Sequence, residues 1–154
     1  MLNNGPDAGI LEKMKGYNEK LSISQAVIFF ERHGYSITKT MIQNYIRVSV
    51  LPPPFEKRRY TKNHLLMVIL IDHLKSIYSL DEIRKLFGPL TNDPSFYSDL
   101  DMSGIYKKFC GYYENKAAEL KDRTAANGSY SFDISLSVAA ESVACKNYAA
   151  NSNR

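Results

Sequence analysis

The sequence predicts an all-α fold carrying one small β wing, on three observations. Apolar residues recur at helical spacing in six segments, with Gly, Pro, Asn and Asp clustered between them. The prolines Pro52, Pro53 and Pro54 interrupt that pattern; they fix three consecutive φ angles and remove three donors, so the chain leaves the preceding helix extended. The stretch from Phe55 to Tyr60 then accommodates a tight two-stranded ribbon, a small wing with a cationic tip.

Taken in order, Met1 to Lys20 is rich in Asn, Gly and charge, with Leu11 and Met14 as scattered apolar residues, and fits a mobile arm or a short helix. From Ser24, the residues Ala26, Val27, Phe30 and His33 keep helical spacing, and Gly34 supplies the left-handed position that ends the first predicted helix. Ser36 or Thr38 caps the second, whose apolar stripe is Met41, Ile42, Tyr45 and Val48 and whose end is Pro52. Two helices joined by about four residues that include Gly have the signature of a helix-turn-helix, although an ordinary helical hairpin has it too. The triple proline is more readily a stiff turn than a ligand for a proline-reading domain.

Thr61 caps a third helix, and its apolar run from Leu65 to Ile71, continued by Leu74 and Ile77, predicts a buried position. Ser79 and Glu82 form a capping box for a fourth helix that reaches Phe87 and stops at Gly88 and Pro89. Thr91 to Leu100 is a turn-rich connection. Ile105, Phe109, Tyr112, Lys116 and Leu120 mark a fifth helix with an aromatic side. Asn127 and Gly128 break the chain, and Phe132, Leu136, Ala139, Ala140, Val143 and Ala144 trace a sixth before six polar residues that fray. The expected organisation is an N-terminal arm (1–21), a helix-turn-helix unit (22–90), a linker (91–101) and a C-terminal helical extension (102–150).

With 154 residues, 44% apolar and 23% charged, the chain suits one ordinary globular domain with an appendage. Its longest apolar run stops at Asp72, far short of the roughly 20 residues of a spanning helix, and its start lacks a secretory pattern. A cytosolic location without a membrane partner is expected. Cys110 and Cys145 are too few for a disulfide framework or a thiolate zinc site and are expected to be buried free thiols.

The charge is uneven. Between Thr38 and His64, Lys39, Arg47, Lys57, Arg58, Arg59 and Lys62 face the single acid Glu56, a net +5, while the remaining residues hold 14 cations and 15 acids. All the excess positive charge lies in one short window, the pattern of a localised footprint for a polyanion. Enzymatic readings are weak: His33, His64 and His73 have no HExxH spacing and no Gly-rich phosphate loop is present, so no catalytic residue, metal or cofactor is expected. His64, near the cationic ribbon, is a surface residue within reach of a phosphate. Phe109, Tyr112 and Tyr113 could line a small-molecule effector pocket between the last two helices, with core packing the favoured alternative.

The string from Ile37 to Leu90, ITKTMIQNYIRVSVLPPPFEKRRYTKNHLLMVILIDHLKSIYSLDEIRKLFGPL, resembles the DNA-binding domain of MerR-type transcriptional regulators in pattern and order. Asn44 and Tyr45 stand at that family's tyrosine pair, Val50 and Leu51 precede the prolines, Arg58 and Tyr60 match the Arg-x-Tyr of its wing, and Ser79 to Leu86 matches its fourth helix. More closely, ITKTMIQNYIRVSVLPPP with KRRYT, and the later HLKSIYSLDEI, are similar to a bacterial domain-of-unknown-function family that is itself MerR-like. Gln43 and Asn44 depart from the Arg and first Tyr of the MerR pattern, and two modest helices replace the long dimerising coiled coil.

The resemblance implies a MerR-like winged helix-turn-helix that binds double-stranded DNA as a transcriptional regulator, with the second helix in the major groove and the wing on the backbone. Thr38, Lys39, Thr40, Gln43, Asn44 and Arg47 on that helix, and Lys57, Arg58, Arg59, Tyr60 and Lys62 in and after the wing, are the expected DNA-binding residues. Gln43 is suited to a bidentate contact with adenine, and Tyr60 serves either as a phosphate donor or as a packing residue. Paired half-sites imply a homodimer, expected through the last two helices. The alternative is a protein-interaction adaptor or anti-regulator that keeps the fold without binding DNA.

Overall fold

Residues 5–15, 20–126 and 132–152 are described by a computed structural model. They form helices α1 (Ile10–Met14), α2 (Ile23–Arg32), α3 (Lys39–Arg47), α4 (Lys62–Leu74), α5 (Leu80–Leu86), α6 (Gly88–Thr91), α7 (Met102–Ala126) and α8 (Phe132–Ser152), with a 3₁₀ turn at Pro94–Tyr97. The expected break at Asn127 and Gly128 lies outside the described residues.

The architecture is built around α4. Every side chain from His64 to Ile71 is buried, so no face of this part of the helix meets water. Each large aliphatic group enclosed there stabilises the fold by about 2 kcal/mol. Phe29 and Phe30 of α2, Ile42 and Tyr45 of α3, Ile83 of α5 and Met102, Tyr106 and Cys110 of α7 belong to the same core. The N-terminal segment joins it as a one-turn helix. Ile10 and Met14 are buried, and the Tyr106 hydroxyl donates to the Asp7 carbonyl at 2.9 Å.

Local chemistry sets each boundary. Ser22 accepts from the Gln25 amide at 3.2 Å while Gln25 Oε1 accepts from the Ser22 amide at 2.8 Å, a capping box that starts α2 one residue earlier than the apolar pattern suggests. Gly34, at φ 83°, ends it in the left-handed region that costs Gly nothing. Thr38 Oγ1 accepts from the Met41 amide at 3.2 Å and opens α3. Ser79 and Glu82 close a second box at 3.1 and 3.0 Å and open α5. Pro89 does not stop the helical run. It sits in the first turn of α6, where its missing N–H leaves no gap. The connection that follows is held down by Asn63 of α4, whose amide donates to the carbonyls of Phe96 at 2.8 Å and Leu100 at 3.0 Å.

The small β wing is not present. Among the described residues there is no strand or sheet, only two isolated antiparallel bridges, Phe55 with Arg59 and Leu21 with Tyr60. The reason is length. Pro54 has no N–H, the turn consumes residues 56–58, and Tyr60 turns away to pair with Leu21 at 2.9 and 2.7 Å, so a single rung remains between Phe55 and Arg59.

Three further expectations need correction. His64 is fully buried, not at the surface. It is the third residue of a box on α4: its Nε2–H donates to the Pro53 carbonyl at 2.9 Å, which leaves Nδ1 to accept from the Thr61 amide at 3.0 Å. Cys145 is exposed, whereas Cys110 is buried, because α8 lies against the rest of the protein along only part of its surface. Helix α8 also continues to Ser152, so the polar end does not fray over the described part.

Burial pushes the His64 imidazole below its ordinary range, against the opposing pull of hydrogen bonds to the Pro53 and Pro52 backbone. The unfolded chain therefore binds the proton more readily. This contribution to stability is complete above the unfolded value of about 6.5 and is lost as pH falls through the folded value. Two outcomes are expected in urea denaturation. His64→Ala lowers the unfolding free energy by about 2–4 kcal/mol, since it leaves a cavity and removes the Nδ1 acceptor of the Thr61 amide. The wild type loses stability as pH falls below about 7.5, and His64→Gln, which keeps a capping side chain but cannot titrate, loses less.

Candidate nucleic-acid interface

Helix α3 has two distinct sides. Ile42 and Tyr45 are buried against α2 and α4, and Thr38, Lys39, Thr40, Gln43 and Arg47 are exposed. Positions 39, 43 and 47 are spaced by four and lie along one stripe of the helix surface. Asn44 is half-buried at the edge of that stripe and accepts from Arg47 Nη2 at 2.6 Å, which lays the guanidinium along the helix. Tyr45 packs, and burial pushes its hydroxyl above the ordinary tyrosine range. The carboxylate-paired Lys75 lies close enough to hydrogen-bond to it.

The basic turn after the prolines is the second part. Phe55 accepts from the Arg58 and Arg59 amides at 3.2 and 2.9 Å, and its own amide donates to the Arg59 carbonyl at 2.7 Å. Glu56 and Lys57, between them, have φ of 51° and 68°. Left-handed backbone at two successive non-glycine residues costs roughly 1–2 kcal/mol each. The turn thereby points Glu56, Lys57, Arg58 and Arg59 into solvent. Arg59 is tethered by Nη1 to the Lys20 carbonyl at 3.4 Å, and Lys20 lies over the Phe55 ring with Nζ 3.4 Å from its centroid.

The base of the turn is fixed from below. The Pro53 carbonyl accepts from both His64 Nε2 and the Tyr97 hydroxyl, each at 2.9 Å, and the rings of Tyr60, Phe96 and Tyr97 surround His64 at 5.5, 4.9 and 5.8 Å. Tyr60 is buried in this cluster and packs against His64. Lys62 is half-buried at the start of α4. The ten residues from Arg47 to Lys57 span at most about 36 Å, which bounds the separation of the two exposed basic elements.

Sequence reasoning missed the roles of Asn63, His64 and Tyr97, because each acts through a backbone carbonyl distant in the chain and no periodicity marks such a contact. Among the described residues, none of Lys39, Arg47, Lys57, Arg58, Arg59 and Lys62 takes part in an ion pair. Outside the window, Lys15, Lys75, Arg84, Lys85, Lys116, Arg123 and Lys146 do, whereas Lys13, Lys20, Arg32, Lys107, Lys108 and Lys121 do not. No group of three His, Cys, Asp or Glu able to hold a metal occurs among the described residues, and no described helix is long and apolar enough to cross a membrane. The aromatic trio suggested as an effector pocket does not converge: Phe109 packs on the core, whereas Tyr112 and Tyr113 are exposed.

The strained turn makes one stability prediction. Glu56→Gly relieves a left-handed non-glycine residue at some cost in unfolded-state entropy, for a net stabilisation of about 0.5–1 kcal/mol, read as an increase in the urea midpoint. Glu56→Pro, which cannot adopt a positive φ, is expected to destabilise.

No curated protein and no solved structure matches the chain. A family model does, over residues 16–109. The match ends within α7, one residue before Cys110, the last core side chain of that helix. It spans the basic window, the clustered aromatic residues beneath it and all of α4, more than half of the 154 residues, and the chain belongs to the family described as Domain of unknown function (DUF1836).

Proposed function

We propose that the protein is a sequence-specific DNA-binding transcriptional regulator, in which α2 and α3 act as a helix-turn-helix of the kind found in MerR-type proteins. The exposed stripe of α3 enters the major groove, with Gln43 at base edges and Lys39 and Arg47 beside it. Lys57, Arg58 and Arg59 on the basic turn neutralise phosphates. The observation that carries this reading is the absence of ion pairs in the +5 window, among the described residues, on a chain that pairs many of its other cations. A surface that keeps its cations free of internal acids retains its full attraction for a polyanion.

A specific regulator of this size reads paired half-sites as a two-fold dimer. Helix α8 supports the expected homodimer. One stripe, Ile134, Val138 and Glu141, is partly covered, with Glu141 paired to Arg123 of α7 at 2.7 Å. A second stripe exposes Phe132, Leu136 and Val143 at 78%, 56% and 60%. Helices bearing apolar residues on both faces are usually covered on both. The same stripe also favours the second reading, an interaction module that docks another protein and does not bind DNA.

A titration on duplex genomic fragments separates the readings. If four to six phosphates are engaged per protomer, the log–log slope of affinity against salt is about −0.9 per phosphate. Arg58→Ala with Arg59→Ala weakens binding on every sequence, while Gln43→Ala changes preference at one base pair by about 1–3 kcal/mol. Absence of binding at low salt transfers the assignment to the interaction module. Light scattering of the full chain is expected to give a dimer, and Leu136→Glu with Val143→Glu a monomer.

A further inference from the structure

Helix α8 carries its charge on one side only. Between residues 134 and 149 its charged side chains are Glu141 and Lys146, and both are half-buried and paired, Glu141 with Arg123 at 2.7 Å and Lys146 with Glu82 at 4.0 Å. The exposed residues of that stretch are all uncharged. The neighbouring half of α7 behaves differently, since Glu114, Lys116, Glu119, Lys121 and Asp122 are exposed there. A water-facing helix surface about four turns long and without charge has the composition of an interface core, where charged residues are depleted.

The absence of charge also narrows the partner. A polyanion or an oppositely charged protein would find nothing to pair with, so the surface suits one that is equally uncharged. A second copy supplies such a surface, and the order of residue sizes is complementary to itself. Phe132, Leu136, Ala140, Val143, Ala144 and Tyr148 lie on the exposed side of α8. In an antiparallel pair that meets at Ala140, Leu136 is level with Ala144 of the partner subunit, and Phe132 is level with Tyr148 of the partner subunit, because each pair is equally far from residue 140 in opposite directions. A large side chain thus lies beside a small one near the centre, where the backbones approach closely, and aromatic rings close the ends. A parallel pair would set each Leu136 beside its own copy and align the two helix dipoles. Phe132, Leu136, Val143 and Tyr148 expose 78%, 56%, 60% and 77% of their surface. Together with the alanines they offer roughly 600 Å² per copy, or about 1,200 Å² in all, the lower edge of a stable interface.

We propose that α8 packs antiparallel on α8 of a second copy, with the two-fold axis beside Ala140. This rests on the homodimer reading, to which it adds direction and register, and it stands whether or not the protein binds DNA.

Disulfide trapping on the full chain tests it. Cys145→Ser removes the exposed native thiol. In that background Ala140→Cys brings two thiols together at the axis, whereas Ala144→Cys sets them about 12 Å apart along the helix, beyond the Cα separation of about 7 Å that a disulfide bridges. Both positions are exposed, and circular dichroism checks that the variants fold. Mild oxidation is expected to convert most of the Ala140→Cys protein to a covalent dimer and to leave Ala144→Cys unlinked. Light scattering without oxidant separates the two levels of the argument. A monomer at tens of micromolar overturns the proposal and the homodimer reading together. A dimer in which Ala144→Cys links as readily as Ala140→Cys, or in which neither links, overturns the antiparallel register and leaves the homodimer standing.

Discussion

A helix that is apolar on all sides exists in water only if other elements enclose it, and the run from Leu65 to Ile71 imposes that condition on the whole molecule. Neither α2 nor α3 is long enough to be stable alone, since helices shorter than about 12–15 residues are marginal in water. Each instead buries one stripe around α4 and exposes the other. The first half of α7 covers a further side through Met102, Tyr106 and Cys110, spaced by four. Beyond Gly111 the same helix has few buried residues, because α4 has ended and no apolar surface is left to cover. The exposed stripe of α3 follows from this arrangement: enclosing α4 requires Ile42 and Tyr45 to face inward, and helical geometry then turns Lys39, Gln43 and Arg47 outward.

The same enclosure creates the basic turn. The chain must pass from the end of α3 to the start of α4 within fourteen residues, 48–61, and the prolines prevent it from doing so as a helix. Without amide protons on three successive residues, the segment cannot be held by its own donors. It is held through a carbonyl, that of Pro53, by the donors His64 and Tyr97 from two other elements. His64 joins the two ends of this passage, since one nitrogen receives the first amide before α4 and the other donates into the proline segment. A carboxamide or carboxylate, the usual third residue of a capping box, could fill the first role. Only a side chain with a second ring nitrogen performs both from one rigid group.

Much of this was legible in the sequence, and the boundary of legibility is physical. Thr38, Thr61 and the Ser79–Glu82 pair announce helix starts because caps are satisfied within three residues, and the run from Leu65 to Ile71 announces burial because composition alone decides it. The β wing was expected because alternation and a cationic tip suit a ribbon, yet a ribbon needs two strands with free donors and this segment has residues for one bridge. Proximity to the cationic ribbon suggests a surface position for His64; its burial depends on the Pro53 carbonyl, eleven residues away, which no local pattern reports. The exposure of Lys39, Gln43 and Arg47 follows from the apolar stripe that α3 turns inward, whereas the direction of the Tyr60 ring is fixed only by its backbone pairing with Leu21.

Charge placement gives the last constraint. Lys57, Arg58 and Arg59 are adjacent, exposed and without acidic partners among the described residues, on a turn that already holds two non-glycine residues in left-handed backbone. Neither feature benefits the isolated fold: like charges repel, and the turn conformation costs energy that the core must offset. Elsewhere the chain behaves differently, pairing Arg84 and Lys85 with Asp81 and Arg123 with Glu141. Exposure to water and salt keeps the repulsion small, which makes the turn tolerable in the free protein. A polyanion at the turn would convert that repulsion into attraction without moving the backbone, since the Pro53 carbonyl, His64 and Tyr97 have already fixed its base. The geometry is thus organised before any partner arrives, and binding need not bear the cost of ordering the turn.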